Sequence, residues 1–158
     1  MQTAQLVTPR QTAAIKATCT RVMRLREGEA EFDGCVSDLS DTAARQIQYA
    51  RAIQAYNACT AAGLKRKTPE FSRCVLGREN AEQAANTSAP DAVPYLDVAD
   101  VKSADSNPDS YYAASFDVRR RREQYACAQL ELEPDTRPFV NCVNNLDTDL
   151  FNIAHPLG

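Results

Sequence analysis

Six cysteines fall into three windows of nearly equal width, and this spacing constrains the fold more than any other feature of the chain. The windows run from Cys19 to Cys35, from Cys59 to Cys74 and from Cys127 to Cys142. The two cysteines lie fifteen residues apart in the second and third windows and sixteen apart in the first. Phe32, Phe71 and Phe139 each stand three residues before the second cysteine, and Val36, Val75 and Val143 directly follow it. Leu39 and Leu146 extend the match, whereas Arg78 breaks it in the middle copy. Self-similarity of this kind marks a repeated supersecondary unit.

The middle window, C-T-A-A-G-L-K-R-K-T-P-E-F-S-R-C, reads as a helix end, a turn and a helix start. Ala61 and Ala62 favour helix, and Gly63 suits the left-handed residue that closes one. Thr68 is a cap, Pro69 fits the first helical position, and Glu70 sits beside the positive helix end. At a rise of about 1.5 Å per residue, Cys59 and Cys74 reach similar depths on facing helices, so a bridge can span the neck of a helical hairpin. The first copy has R-E-G-E-A-E-F where the second has its Thr-Pro start, and is read as the degenerate one. Six cysteines allow fifteen connectivities, among which repeat logic selects one bridge per hairpin. A bridge closing a loop of this length contributes about 3 kcal/mol.

Paired cysteines favour an oxidising compartment such as a periplasm over a cytosol full of free thiols. The start, M-Q-T-A-Q-L-V-T-P-R, lacks the apolar core of a signal peptide. The expectation that reconciles this with the cysteines is a periplasmic or secreted mature form, its signal removed and an initiator Met added. No apolar run is long enough to span a membrane. A formal net charge of −3 argues against non-specific nucleic-acid binding.

Along the chain the expected class is all-α, in a single helical domain over residues 1–158. Disulfide-stapled hairpins are expected at about 9–40, 41–86 and 111–150, forming a small bundle or a short solenoid. Thr8 and Pro9 open a first helix running to about Glu27. A second begins near Ala30 and carries Phe32, Val36, Leu39, Ala43, Ile47, Ala50 and Ile53 at steps of three and four. A third runs from Pro69 to about Asn86, a fourth from Tyr111 to Leu130, and a fifth from Thr136 to Leu150. Residues 87–110 are rich in Pro, Asp and Ser, and read as an irregular inserted loop or linker. Tyr95, Leu96, Val98 and Val101 would let it pack across the helices as a strap.

No catalytic constellation emerges. There is no G-x-S-x-G elbow or Gly-rich phosphate loop, and the single His lies in the terminal F-N-I-A-H-P-L-G. The carboxylates are scattered, with no pair whose surroundings suggest opposed pKa values. No two cysteines are close enough for a C-x2-C metal or redox pair, so neither metal nor cofactor is expected. Each repeated Phe shares a helical face with its cysteine and is read as core. Arg119, Arg120, Arg121 and Arg122 form a basic run of four. They are read as a solvated face partly paired with Glu123 and the acidic linker, with docking to an acidic partner or anionic headgroups as the sharper option.

The second and third windows resemble a C-x3-G-L-x-P-G-T-x-x-F-x-x-C-like hairpin of small exported proteins and lipoproteins of proteobacteria. Cys59, Gly63, Leu64, Thr68, Phe71 and Cys74 carry the match, with Lys-Arg-Lys in place of the usual Pro-Gly. In the third copy it is carried by Cys127, Leu132, Pro134, Thr136, Phe139 and Cys142, with Glu131 where Gly would stand. The resemblance implies an exported helical protein with one disulfide per hairpin, and no particular activity. The function expected is a non-catalytic accessory subunit that binds and stabilises a larger periplasmic or envelope complex, with a membrane-associated dehydrogenase as one candidate. Arg119–Arg122, Tyr95 and Leu96 would make the contact, with peripheral approach to the membrane surface. The alternatives are a binding module for a small apolar ligand beside the Phe–Cys faces, and a thiol- or metal-handling periplasmic protein.

Overall fold

The computed structural model describes residues 7–86 and 98–155, and these are all-α. The helices are α1 (Pro9–Ala17), α2 (Ala30–Ala61), α3 (Pro69–Asn86), α4 (Phe116–Ala128) and α5 (Arg137–Ala154). A π-turn at Thr18–Val22 continues α1, and a 3-10 turn occupies Val98–Asp100. Three bridges close the three windows, Cys19–Cys35, Cys59–Cys74 and Cys127–Cys142, with Cα atoms 6.0, 6.1 and 6.0 Å apart.

Counted back from the second cysteine, the three hairpins are the same object. The following helix starts five residues before it every time, at Ala30, Pro69 and Arg137. Seven before it lies a left-handed residue: Gly28 at φ 89°, Lys67 at 64° and Asp135 at 68°. Eleven before it lies another: Arg24 at 59°, Gly63 at 88° and Glu131 at 62°. The first copy is therefore not degenerate in backbone. Its extra residue is absorbed upstream by the π-turn, where the helix widens by one residue per turn. Thr18 and Thr20 there turn their hydroxyls back onto the Ala14 and Ala17 carbonyls, a bond that competes with regular helix. This is also why the first helix ends near Val22 rather than at Glu27.

The described residues group into two units, 44–86 and 7–43 with 98–155. In the first, Thr68 caps α3 by accepting from the Phe71 amide at 3.2 Å. Phe71 is buried and meets Tyr56 edge-on at 5.0 Å, and the Arg66 guanidinium lies 4.8 Å above the Tyr56 ring. The turn thus covers its own aromatic pair. Beyond Ile47 the buried line follows Ala55 and Cys59, so Ala50 and Ile53, expected in the stripe, are exposed. The bridge at Cys59 sets the register, and stepping back by fours from it passes through Ala55 and Arg51 instead.

In the second unit, Thr8 and Gln11 form a reciprocal capping box, with Pro9 at the start of α1. Ile15, Cys19, Val22, Met23, Cys35, Leu39, Cys127, Leu146 and Leu150 make the core. α4 packs on α5 and on the π-turn. It begins at Phe116, not Tyr111, because Ser115 accepts from the Val118 amide and caps it there. The residues before it are held irregular by arginines: Arg21 bonds the Val98 and Val101 carbonyls, and Arg24 the Ser103 hydroxyl. Val101 is buried, and Tyr95 and Leu96 lie outside the described residues.

Candidate functional site

The basic run is divided by its helix. Arg122 is fully buried, and its guanidinium bonds both Asp105 carboxylate oxygens (3.1 and 3.2 Å) and the Asn107 and Asp109 carbonyls (3.0 and 2.9 Å). That fork holds the Asp105 carboxyl below the ordinary carboxylate range, with desolvation working against it. Arg122 is thus an anchor for the segment ahead of α4, not part of a solvated or docking face. Arg119 donates to the Ala114 carbonyl at 2.7 Å, Arg120 to Asn144 Oδ1 at 3.2 Å, and Arg121 is exposed.

Glu123, expected as a surface partner of the arginines, is also fully buried. Its Oε2 accepts from the Tyr111 hydroxyl at 2.5 Å, whereas its Oε1 receives no hydrogen bond and lies 3.7 Å from Arg120 Nη1. Burial, chiefly, raises the Glu123 carboxyl to about 7; the Tyr111 bond lowers it, and the neighbouring Asp147 carboxyl raises it further. Tyr111 is buried beside this carboxyl, and both facts hold its phenol far above the ordinary value.

Over this pair opens a cleft of ≈ 430 Å³ lined by Tyr111, Tyr112, Arg119, Asp147, Phe151, Ala154 and His155. Asp147, Phe151 and His155 follow one face of α5 at steps of four. The Tyr112 hydroxyl donates to the Leu150 carbonyl at 2.7 Å, and the Phe151 ring stacks on His155 with centroids 4.3 Å apart. Burial, then Glu31 and Glu29, push the Tyr112 phenol up to about 12. Two rings stay open to solvent, Phe151 at 59% and Tyr112 at 40%. The cleft therefore offers rigid aromatic faces, one guanidinium, one carboxylate and one imidazole.

Sequence reasoning named Arg119 but missed the rest of this site. A signal was available: Cys127 must be buried to form its bridge, and one turn back on the same face stands Glu123. The Phe–Cys faces play no part in the lining, and Phe32 and Phe71 are packed into the interior. All six cysteines are bridged, and disulfides persist outside the reducing cytosol, so the fold belongs to an oxidising extracytoplasmic setting. Among the described residues no cluster of three or more His, Cys, Asp or Glu could hold a metal ion, and no helix is long and apolar enough to cross a membrane. No protein family, curated protein or solved structure matches the chain.

Proposed function

We propose that this chain is a non-catalytic accessory protein of the periplasm or envelope, which grips a larger partner protein through the cleft between α4, α5 and the Tyr111–Tyr112 corner. The observation that carries the reading is the pair of solvent-facing rings on a rigid floor: Phe151 stacked on His155 and Tyr112 tied to Leu150. Aromatic anchors flanked by a guanidinium are the chemistry of protein-contact hot spots. Rings already fixed by the fold lose little freedom on binding. The partner surface would present an apolar side chain to the rings and a carboxylate to Arg119. Arg119, Arg120 and Arg121 remain as docking groups, and Arg122 leaves that set because it is buried. The resemblance to exported hairpin proteins agrees with the compartment. A small apolar ligand would offer no complementary charge to the Asp147 carboxylate or to the Arg119 guanidinium, which bonds the neutral Ala114 carbonyl, so the protein partner is favoured.

The test is recovery of the tagged protein from its native envelope fraction, with mass spectrometry of what accompanies it. The expected result is a stoichiometric larger protein with the wild-type chain, lost in Phe151→Ser at unchanged helicity and melting temperature. Elution alone under gentle conditions, or a partner retained by Phe151→Ser, overturns the reading.

A further inference from the structure

The repeat is broken at the residue that would cover one of its bridges. Four residues past the second cysteine, one helical turn on along the same face, the first and third copies carry Leu39 and Leu146, both fully buried. The middle copy carries Arg78 there, and it is exposed. Cys74 is only half-buried, whereas Cys19, Cys35, Cys59, Cys127 and Cys142 are buried. The middle hairpin is also thinly packed: among the described side chains of α3, residues 69–81, Phe71 alone is buried. Charge follows the same division. From the first cysteine to four residues past the second, the middle window holds five basic residues and one acidic. The first window holds three basic and five acidic, and the third one basic and three acidic. Cations beside a sulfur favour the thiolate, and a more stable thiolate leaves faster. We propose that Cys59–Cys74 is the labile bridge of this protein: an external dithiol opens it in the folded chain, frees α3 from α2, and leaves the other two bridges closed.

A thiolate of the dithiol attacks Cys74 Sγ, the half-buried end of the bridge. The S–S bond breaks and its electron pair goes to Cys59 Sγ, which takes a proton from water. The dithiol's second thiolate then attacks its own partner sulfur in the mixed disulfide and expels Cys74 as a thiolate, which is protonated in turn. The dithiol loses two electrons and two protons and becomes a disulfide, while the bridge gains both and becomes two thiols. Lys65, Lys67, Arg73 and Arg78 are exposed on this hairpin, and of these Arg73 pairs with Glu70 at 3.8 Å. Arg66 is held over the Tyr56 ring. Once the bridge opens, the Phe71–Tyr56 contact is what remains of the described packing of α3 on α2. The partner class is a protein dithiol, a thiol–disulfide oxidoreductase acting outside the cytosol. None of these residues lines the cleft of α4 and α5, so the inference stands apart from what that cleft grips.

The experiment treats the intact, oxidised chain with graded dithiothreitol in the absence of denaturant. Thiols are trapped with N-ethylmaleimide and located by peptide mass spectrometry. Cys59 and Cys74 should be labelled at least about tenfold faster than Cys19, Cys35, Cys127 and Cys142. Opening of all three bridges together, or of either other bridge first, overturns the proposal. Arg78→Leu gives the middle copy the apolar cover of the other two, and should slow labelling of Cys59 and Cys74 severalfold. An unchanged rate in that variant overturns the proposal equally. Hydrogen exchange on the partly reduced chain reads the release itself. The α3 amides should lose protection while those of α4 and α5 keep it, and α3 protection that survives reduction overturns the freeing of the helix.

Discussion

Among the described residues, four other than glycine hold the left-handed region, and they show what the hairpin demands of its turn. Arg24, Lys67, Glu131 and Asp135 stand at φ 59°, 64°, 62° and 68°. An L residue there is strained by about 1 kcal/mol, which glycine avoids. Where the second copy uses Gly63, the third uses Glu131 at the same place, exposed and free to change. Glu131→Gly should therefore stabilise the protein by about 0.5–1 kcal/mol, and Gly63→Ala should destabilise it by about 1 kcal/mol, both read from urea unfolding midpoints. Equal and opposite local changes at one repeat position would show that the bridge and helix start, not the residue, dictate the turn. The Gly63, Thr68 and Pro69 chemistry of this turn was legible in the sequence. That Glu131 would copy Gly63 was not, because side-chain identity alone favours a different backbone there. The third bridge, eleven residues on, imposes it.

At the scale of helices, burial follows the bridges more closely than it follows local hydrophobicity. Cys59 pulls Ala55 inward and leaves Ile53 at the surface, and Cys127 pulls a Glu and an adjacent Arg into the core of a basic, polar helix. Periodicity counted on apolar residues could not reveal Arg122 and Glu123, since their partners Asp105, Tyr111 and Asp147 are brought up by the fold. Arg122→Leu removes one partner of a buried pair and strips two carbonyls of a donor, so a loss of about 3–5 kcal/mol is expected. Hydrogen exchange should place the opening in residues 101–114, and the paired change Asp105→Leu should recover part of the loss. Unchanged protection of that segment would mean that Arg21 and Arg24 alone hold it. Gly34 marks another close approach: an added Cβ would lie 2.6 Å from Ile153 Cδ1. Alanine is accommodated by a shift of that methyl, whereas Gly34→Val overpacks the contact and should cost about 1–3 kcal/mol in the same unfolding assay.

For the molecule as a whole, the half-buried Asp105 and the buried Glu123 set limits of opposite sign on stability. Asp105 is lowered by Arg122, so it stabilises the fold above its ordinary value of 3.8, and that contribution vanishes as pH falls through its lower folded value. Glu123 is raised, so its contribution is complete below 4.5 and vanishes as pH rises through about 7. Both contributions are whole only between these ordinary values. The melting temperature should therefore form a dome centred near about pH 4 to 5, below the neutral plateau usual for folded proteins. Its limbs are separable by substitution: Glu123→Gln should flatten the alkaline limb and leave the acid limb, and Asp105→Asn should do the reverse at a lower peak. All six cysteines are bridged and none is free to attack a bridge, so neither limb is expected to reflect a change in chain connectivity. A dome unmoved by both substitutions would assign the pH response to the diffuse surface charge of a chain at −3, and not to the hairpin cores.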